Sequence, residues 1–346
     1  MQAIVLVGGE GTRLRPLTLT QPKPAIRLVD RPFIQFMVDW LARHGVEHVI
    51  MACGFHAELL QEALDSSAPG GPRIDYVEEP EPLGTAGPIR LAADRGLLSE
   101  RFLALNGDVL TDLDLSALRC THERTGAAAT LALYPVEDPS HYGLVVTGAG
   151  GEVEEFVEKP GPGETATNEI SAGAYVLERG VLDLIPPGRE ISIEREVFPR
   201  LVGNGLYGQR LEGYWMDIGT PERYLQASWD ILEGRVESDA APTGEGATMV
   251  EDGCEIAPGA TVGPRAVVGR GGYVGPGARV TSSVLDSGCR VGPGASVEGS
   301  ILAMGVQVGE EALVPAGSVV GEAASIAPGA RLDPGARVAP EAEVAA

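Results

Sequence analysis

Aliphatic residues recur every six positions through the C-terminal part of this 346-residue chain. The repeat keeps three registers, Ile256–Val280, Leu285–Val297 and Leu302–Val344, and the spacing shortens by one residue where the register changes. Glycine, proline and alanine fill the positions between. A short unit that buries one branched residue and turns at small residues predicts a parallel β-helix. The regular spacing argues against a disordered Gly/Pro-rich tail.

The repeats predict a domain at 248–346, preceded by a polar Gly/Pro/Ala-rich linker at 237–247. Residues 1–236 follow a different pattern, in which strand-like apolar runs alternate with helical spacing. This alternation predicts an α/β domain with a mixed, mostly parallel sheet. The predicted strands are 3–7, 48–52, 74–77, 102–105, 128–134 and 172–177.

Two helices are predicted in this first domain from their apolar spacing. Phe33, Met37 and Leu41 lie on one helical face, with Pro32 early in the first turn and Gly45 as the stop. A second helix is predicted to open at Thr220-Pro221 and to end the domain.

The stretch at 6–24, LVGGEGTRLRPLTLTQPKP, predicts a binding site for a polyphosphate. The first strand runs into glycines, which leave backbone N–H groups uncovered by a Cβ atom. Arginine supplies a forked donor for phosphate oxygens, and lysine supplies a point charge. The residues that carry these features are Gly8, Gly9, Gly11, Arg13, Arg15 and Lys23.

Two better-known phosphate motifs do not fit this loop. The Walker pattern needs a lysine directly after its last glycine, and none stands there. The dinucleotide fingerprint needs a third glycine where this chain has Leu14.

Carboxylates that follow strands are candidates for a metal site at the same sheet edge. Asp108 comes directly after the predicted strand 102–105, although a turn or a helix cap would also explain it. Asp217 lies within an apolar run, where an unpaired carboxylate would be costly. Either a metal ion or a salt bridge would explain Asp217.

Three further segments are candidates for substrate contacts. Glu158-Lys159 follows a predicted strand, where lysine can hold a phosphate and glutamate can accept from sugar hydroxyls, or the two can form an exposed ion pair. Asn168 and Ser171 precede another strand and could line a hydroxyl-binding floor. The Gly-rich loop at 83–87 could read a base edge or simply turn into a helix.

Charge and cysteine content exclude several classes of function. The net charge of −23 disfavours nucleic acid and anionic membranes as partners. The four cysteines are scattered, which is typical of reduced cytosolic thiols. We therefore expect a soluble cytoplasmic protein that contacts neither nucleic acid nor membrane.

Taken together, these strings resemble the sugar-1-phosphate nucleotidyltransferases, closest to the mannose-1-phosphate guanylyltransferase branch. The resemblance spans nearly the whole chain in the order and spacing of its motifs. The matching segments are 6–24, 81–87, 105–109, 142–143, 157–160, 191–199 and 215–221. The resemblance implies a Rossmann-like catalytic domain followed by a left-handed β-helix used for homo-oligomer assembly.

The resemblance also implies the roles of individual residues in making a nucleotide sugar from a nucleoside triphosphate and a sugar 1-phosphate. Arg13, Lys23, Asp108, Lys159 and Asp217 are the implied catalytic residues, and Asp108 and Asp217 would hold Mg²⁺. The implied nucleotide and sugar-phosphate contacts are Leu6, Gly8, Gly9, Gly11, Thr12, Arg13, Leu83, Gly84, Thr85, Gly107, Gly143, Glu158, Lys159, Asn168 and Ser171.

Substrate identity stays open at this point. Lys23-Pro24 favours GTP over a thymidine nucleotide, whereas Ser171 replaces the asparagine that mannose-specific members tend to carry. Glucose 1-phosphate or a cyclitol phosphate, with another triphosphate, is the alternative. A pocket that differs by small groups discriminates by only about 1–3 kcal/mol.

Two other functional classes compete with this hypothesis. Acyltransferases with hexapeptide β-helices use a histidine base there, but all five histidines precede residue 142, so we interpret the repeats as structural. A non-catalytic paralogue that binds the nucleotide sugar would have lost signature residues, which this chain retains.

Overall fold

The computed structural model describes residues 1–54, 57–65, 71–139, 142–158, 167–240, 244 and 246–346. The strands before the repeats are β1 (Gln2–Leu6), β2 (Arg27–Leu28), β3 (Arg31–Pro32), β4 (His48–Cys53), β5 (Arg73–Glu78), β6 (Arg101–Asn106), β7 (Val109–Thr111), β8 (Ala129–Pro135), β9 (Gly143–Thr147), β10 (Val153–Glu158), β11 (Glu169–Glu178), β12 (Leu206–Arg210) and β13 (Trp215–Asp217). All six strands predicted from the sequence are present.

Helices connect these strands. The α-helices are α1 (Phe33–Arg43), α2 (Ala57–Asp65), α3 (Gly87–Asp94), α4 (Leu115–Thr125), α5 (Phe198–Leu201) and α6 (Pro221–Leu232). The 3-10 segments are Thr12–Leu14, Leu17–Leu19, Lys23–Ala25 and Arg179–Leu184, and one π-helical turn spans Ile193–Val197.

The main sheet is mixed, which confirms the predicted Rossmann-like α/β class. Among the described residues its order is β10-β9-β11-β6-β1-β4-β5, with β8 beside β11 and β12 beside β8. Strand β1 pairs in parallel with β4 and with β6, while β11 runs antiparallel to β6. The central strands are almost continuously apolar and buried, as expected for parallel strands covered on both faces.

The start of α1 differs from the sequence prediction. Pro32 pairs with Arg27 across the antiparallel strands β2 and β3, and the helix begins at Phe33. Residues that the sequence placed in the first helical turn therefore form a short β-strand instead. Sequence spacing alone did not reveal this pairing. The prediction for α6 is confirmed, because Thr220 is its N-cap and accepts a hydrogen bond from the Arg223 backbone N–H at 3.3 Å.

The repeat region forms short parallel strands that stack in successive coils, consistent with the predicted left-handed β-helix. Its strands are β14 (Met249–Val250), β15 (Glu255–Ile256), β16 (Thr261–Val262), β17 (Val267–Val268), β18 (Tyr273–Val274), β19 (Arg279–Thr281), β20 (Val284–Leu285), β21 (Arg290–Val291), β22 (Ser296–Glu298), β23 (Ile301–Leu302), β24 (Gln307–Val308), β25 (Leu313–Val314), β26 (Val319–Val320), β27 (Ser325–Ile326), β28 (Arg337–Val338) and β29 (Glu343–Val344). They pair as the ladders β14-β17-β20-β23-β26-β28, β15-β18-β21-β24-β27-β29 and β16-β19-β22-β25.

The two register changes in the sequence are shortened corners of the β-helix. Met249 pairs with Val267, a step of 18 residues, whereas Val267 pairs with Val284 after only 17. Buried serines occupy the shortened corners, where the Ser300 backbone N–H donates to Ser283 Oγ at 3.1 Å. A hydroxyl thus satisfies a backbone group in the shortened turn.

The chain divides into two compact units. The first unit comprises Met1–Gly9, Met37–Ala57 and Ala68–Trp215, and the second comprises Glu10–Phe36, Glu58–Ser67 and Met216–Ala346. The β-helix therefore belongs to the same unit as the segment that follows the first glycines. The predicted site residues fall into two groups, one in each unit.

Two properties of the chain bear on the expected cellular setting. All four cysteines lie in described segments, and none of them is paired in a disulfide there. Within the described residues, none of the helices combines the length and the apolar character required to cross a bilayer.

Candidate active site

In the first unit, the carboxyl ends of β1 and β6 bring two predicted segments together. Leu6 pairs with Asn106 at the sheet edge, and the Gly107 backbone N–H donates to Leu6 O at 2.9 Å. A Cβ atom at Gly107 would lie 2.8 Å from Leu6 O, so only glycine fits there. Asp108 therefore leaves β6 directly beside the start of the glycine loop.

Glu79 links the glycine loop to the loop at 83–87, and sequence reasoning missed it. A Cβ atom at Gly8 would lie 2.6 Å from Glu79 Oε1, while Glu79 Oε2 accepts from the Leu83 backbone N–H at 3.0 Å. Burial raises the pKa of the Glu79 carboxyl, and the Leu83 hydrogen bond opposes that rise. Its position just after β5 was the available signal.

The loop Leu83–Gly84–Thr85 is held by the segment around Ile191. The Ile191 backbone N–H donates to Leu83 O at 3.0 Å, and Ala86 N–H donates to Ile191 O at 2.9 Å. Gly84 has φ +73°, and a Cβ atom there would lie 2.5 Å from Ile191 O. The loop is thus a closely fitted turn with defined backbone positions.

Glu194 connects this loop to the predicted sugar floor. Its Oε2 accepts from Thr85 Oγ1 at 2.9 Å and from Ser192 Oγ at 3.1 Å, and its Oε1 accepts from Tyr175 OH at 2.9 Å. Tyr175 is fully buried, and burial raises its pKa well above the usual phenol value. The sequence offered only the family string at 191–199 as a signal for Glu194.

Replacing the Glu194 carboxylate by an amide should destabilise the first unit. Glu194→Gln keeps the shape but removes one of the two acceptor oxygens that serve three hydroxyl donors. We expect the free energy of unfolding to fall by about 1–3 kcal/mol, the usual cost of unsatisfied buried partners. Urea titration measures this, with Glu196→Gln as the control because Glu196 is exposed and accepts a hydrogen bond from the Ser192 backbone N–H. Equal stability of both variants would contradict the role of Glu194.

The predicted sugar floor is partly within the described residues. Ser171 Oγ lies 3.4 Å from Tyr175 OH, and Asn168 Nδ2 donates to Val136 O at 2.9 Å. Gly143 begins β9 and pairs with Glu158 in β10. The Glu158 side chain and all of Lys159 lie outside the described residues.

An aromatic cluster beside this floor was not predicted. Trp215 Nε1 donates to Ala172 O at 2.9 Å. Tyr134 stacks on Trp215 at 5.7 Å between ring centroids, and Tyr142 meets it edge-on at 5.9 Å. The cluster fixes Trp215 two residues before Asp217.

In the second unit, Gly11 and Arg13 lie in the turn that follows the first glycines, within the predicted polyphosphate-binding stretch at 6–24. Gly11 has φ +60° and is the N-cap of the segment Thr12–Leu14. A Cβ atom at Gly11 would lie 2.9 Å from Thr18 Cγ2 and 3.1 Å from Lys23 Cβ. Glycine is therefore needed for both the backbone conformation and the close approach of Lys23.

Arg13 and Asp217 approach the same point of the second unit. A Cβ atom at Gly219 would lie 2.6 Å from Arg13 Nη2 and 3.2 Å from Asp217 Oδ2. Gly219 thus leaves room for a guanidinium next to a carboxylate.

Lys23 is buried and paired with Asp217. Its exposed fraction is 8%, and its Nζ lies 3.9 Å from Asp217 Oδ1. A buried ammonium needs a partner of opposite charge, and Asp217 supplies one for Lys23. The salt bridge that the sequence left open for Asp217 therefore exists, and it places a lysine and an arginine around one carboxylate.

This arrangement is suited to anionic substrates. In the second unit, Arg13 and Lys23 supply two cationic groups close to the Gly11 turn, and Asp217 lies between them. In the first unit, Gly8 and Gly9 are exposed just after β1, and a Cβ atom at Gly9 would meet no atom within 4 Å. Exposed N–H groups with forked and point-charge donors bind phosphate chains, which is the chemistry of a nucleotide-binding transferase.

Comparison with known families defines this class. Residues 2–234 match the family model described as Nucleotidyl transferase, and residues 244–346 match the model described as GMPPB C-terminal domain. The first match covers more than half of the chain, which identifies a nucleotidyltransferase. Enzymes of this family generally act on a nucleoside triphosphate and a sugar phosphate with a divalent metal.

Curated relatives narrow the class. The mannose-1-phosphate guanylyltransferase of Mycobacterium tuberculosis is 40% identical over 84% of this chain and 81% of its own length. The chain therefore belongs to the mannose-1-phosphate guanylyltransferase family of sugar-1-phosphate nucleotidyltransferases. The mannose-1-phosphate guanyltransferase of Schizosaccharomyces pombe is 44% identical over 65% of this chain, and the alignment spans 62% of that relative.

A solved structure supports the fold of the catalytic part. HddC from Yersinia pseudotuberculosis superposes with a TM-score of 0.58 at 27% identity, over 66% of this chain and 99% of that one. The same protein was also solved in complex with GMP-PN, with a TM-score of 0.57 at 26% identity. That neighbour therefore binds GMP-PN.

Proposed function

We propose that this protein transfers the guanylyl group of GTP to mannose 1-phosphate, forming GDP-mannose and pyrophosphate. The observation that carries the proposal is the buried Lys23–Asp217 pair beside Arg13, in a chain that is 40% identical to a mannose-1-phosphate guanylyltransferase. Relatives with that name support the choice of guanine and mannose. The guanine derivative bound by the Yersinia neighbour supports the choice of base.

The reaction needs positioning and charge neutralisation more than covalent help from the protein. An oxygen of the sugar phosphate attacks the α-phosphorus of GTP, a new P–O bond forms, and the bond to the bridging oxygen of pyrophosphate breaks. Arg13 and Lys23 neutralise the triphosphate as charge moves toward the leaving pyrophosphate. Backbone N–H groups of the loop from Gly8 to Thr12 orient it.

The site residues of each unit have their own assignment in this proposal. Leu6, Gly107 and Leu83–Thr85 are assigned to the nucleoside, and Gly143, Asn168 and Ser171 to the sugar. Glu158 and Lys159 keep their predicted role at the sugar phosphate.

We assign the magnesium ligands to Asp108 and Asp217, as the family resemblance implies. Asp108 and Asp217 supply hard oxygen ligands, and Mg²⁺ commonly takes one or two carboxylates and completes its shell with substrate phosphates and water. Asp217 is already balanced by Lys23, so a phosphate-bound cation there would compete with an ammonium for one carboxylate. When bound, the ion would neutralise phosphate oxygens during transfer.

Further assignments follow from the family and remain proposals. We assign the catalytic domain to 1–236, the linker to 237–247 and the β-helix to 248–346, with homo-oligomer assembly through the β-helix. We also propose a cytoplasmic protein without nucleic-acid or membrane partners, in line with its charge of −23.

A panel of substrates tests the function. Pyrophosphate release should require Mg²⁺ and should be fastest with GTP and mannose 1-phosphate among five nucleoside triphosphates and several sugar and cyclitol phosphates. Substrates that differ by small groups should be separated by about 10- to 200-fold in kcat/KM. Fastest turnover with glucose 1-phosphate would overturn the choice of mannose and would point to Ser171 as the residue that alters sugar specificity. No pyrophosphate release from any substrate pair would overturn the enzyme assignment.

A further inference from the structure

The segment that carries Lys23 is anchored directly to the β-helix. Lys23–Ala25 is a 3-10 turn, and two residues later Arg27 begins β2. Both Lys23 and Arg27 belong to the second unit, as does the β-helix. The contacts of Arg27 therefore show what holds this part of the phosphate loop in place.

Arg27 lies between two carboxylates of the β-helix. Its Nη2 is 2.5 Å from Glu251 Oε2, and its Nε is 3.8 Å from Asp286 Oδ1. The three side chains are only 21%, 14% and 19% exposed. An ion pair with so little water around it is screened weakly and depends strongly on geometry.

The two carboxylates occupy the same corner of the β-helix in different coils. Glu251 follows β14 and Asp286 follows β20, and β17, which lies between these strands, is followed by Gly269. Backbone N–H groups hold both acids, since Arg270 donates to Glu251 at 2.8 Å and Ser287 donates to Asp286 at 2.6 Å. The two carboxylates are thus held in place on the β-helix, and both pair with the guanidinium of Arg27.

The charge balance of this cluster makes Arg27 hard to replace. Burial raises the pKa of the Asp286 carboxyl, and the Arg27 guanidinium opposes that rise while Glu251 adds to it. Without Arg27, two acids would face each other without their cation. The cluster is therefore arranged to hold a guanidinium in one place.

Little flexibility separates Arg27 from Lys23. Pro22 and Pro24 fix backbone angles on both sides of Lys23, and the Ile26 backbone N–H donates to Lys23 O at 3.2 Å. On the other side, Tyr224 OH of α6 donates to the Arg27 carbonyl oxygen, and Arg27 Nε donates to Val29 O at 3.2 Å. A shift of Arg27 would accordingly move Lys23 relative to Asp217.

We propose that Arg27 is a positioning residue for nucleotide binding, through which Glu251 and Asp286 of the β-helix set the position of Lys23. The proposal rests on the proposed function in that Lys23 holds the triphosphate. It gives the β-helix a part in substrate binding in addition to assembly. Arg27 itself touches no substrate in this scheme.

The test compares Arg27→Met with a control that loosens the β-helix elsewhere. Glu233→Gln weakens the ion pairs of Glu233 with Arg265 on the first coils, at an Nε–Oε1 distance of 2.5 Å, and with Arg235 at 2.7 Å, and neither pair involves the segment 22–28. We expect Arg27→Met to raise the KM for GTP about tenfold or more, because misplacement by about 1 Å can cost up to a hundredfold in rate. The KM for mannose 1-phosphate should change less than twofold. Arg27→Lys should recover part of the loss.

Thermal unfolding and oligomeric state are measured on the same full-length variants. If Glu233→Gln lowers the Tm as much as Arg27→Met but leaves the KM for GTP unchanged, the positioning role is supported. If both variants change the KM for GTP alike, or neither does, the proposal is overturned. Should Arg27→Met fail to fold, Glu251→Gln replaces it and is expected to give a smaller rise of the same KM.

Calorimetric titration with GTP and with inorganic pyrophosphate separates this proposal from the proposed function. Absence of turnover in the wild type would overturn the proposed function. A weaker binding of pyrophosphate by Arg27→Met than by Glu233→Gln would still support positioning, and equal binding would overturn it.

Discussion

Asp108→Asn is expected to lower kcat by about 100-fold or more, on the scale of losing one group that stabilises developing charge, about 3 kcal/mol. Asp108 follows β6 beside the glycine loop, where the Gly107 N–H donates to Leu6 O at 2.9 Å. Asparagine preserves the size of the side chain but removes the negative charge that a divalent cation needs. Pyrophosphate release at saturating substrates, measured across a Mg²⁺ titration, gives the result.

The magnesium titration makes this prediction specific. Loss of a metal ligand should raise the Mg²⁺ concentration for half-maximal rate, which a loss of fold would not do at constant Tm. Asp94→Asn is the matched control, since Asp94 is 44% exposed and pairs with Arg90 on the surface of α3. A near-normal rate and an unchanged magnesium requirement in Asp108→Asn would move the metal site to other residues.

Lys23→Met is expected to lower kcat/KM for GTP by about 100-fold or more, because it removes the charged donor that we propose for the triphosphate. Lys23 is 8% exposed, so methionine can fill the same space with an apolar chain. The loss removes one of the two cations near Asp217, whose Oδ1 lies 3.9 Å from Lys23 Nζ, and it should also lower stability because Lys23 is buried. The expected result is therefore a loss of both activity and stability.

A double variant separates these two losses. Lys23→Met combined with Asp217→Asn removes both charges, so stability should recover toward the wild type while activity stays low. Arg223→Met, an exposed position on α6, is the control for losing a positive charge. Recovery of activity together with stability in the double variant would show that Lys23 acts only through folding.

Local patterns predicted the elements of this fold well. The apolar runs matched β1, β4, β5, β6, β8 and β11, and the six-residue repeat matched the stacked strands of the β-helix. These signals are local, because the hydrophobic pattern of a strand or of a β-helix coil can be recognised within a short stretch of sequence. The pairing of Pro32 with Arg27 was missed, since two strands of two residues each carry no periodicity.

Long-range side-chain contacts were beyond the sequence. The candidates Asp108, Asp217, Arg13 and Lys23 could be nominated because each stands in a distinctive string. Glu194 meets Thr85 across 109 positions, and nothing in either local pattern pairs them. The pairing of Lys23 with Asp217 likewise depends on the tertiary fold, so the sequence left a metal and a salt bridge as equal explanations.

The clustering of Arg27 with Glu251 and Asp286 bears on protein engineering. The design of chimeras that exchange β-helices between related enzymes assumes that the repeat region can be replaced without changing the catalytic part. In this protein, the catalytic part contributes Arg27 in β2, whereas its two counterions, Glu251 and Asp286, belong to the first and third coils of the β-helix. A chimera should fold well when residue 27 and the residues at positions 251 and 286 come from the same parent enzyme. When they come from different parents, the arginine or the two carboxylates would lack a partner of opposite charge.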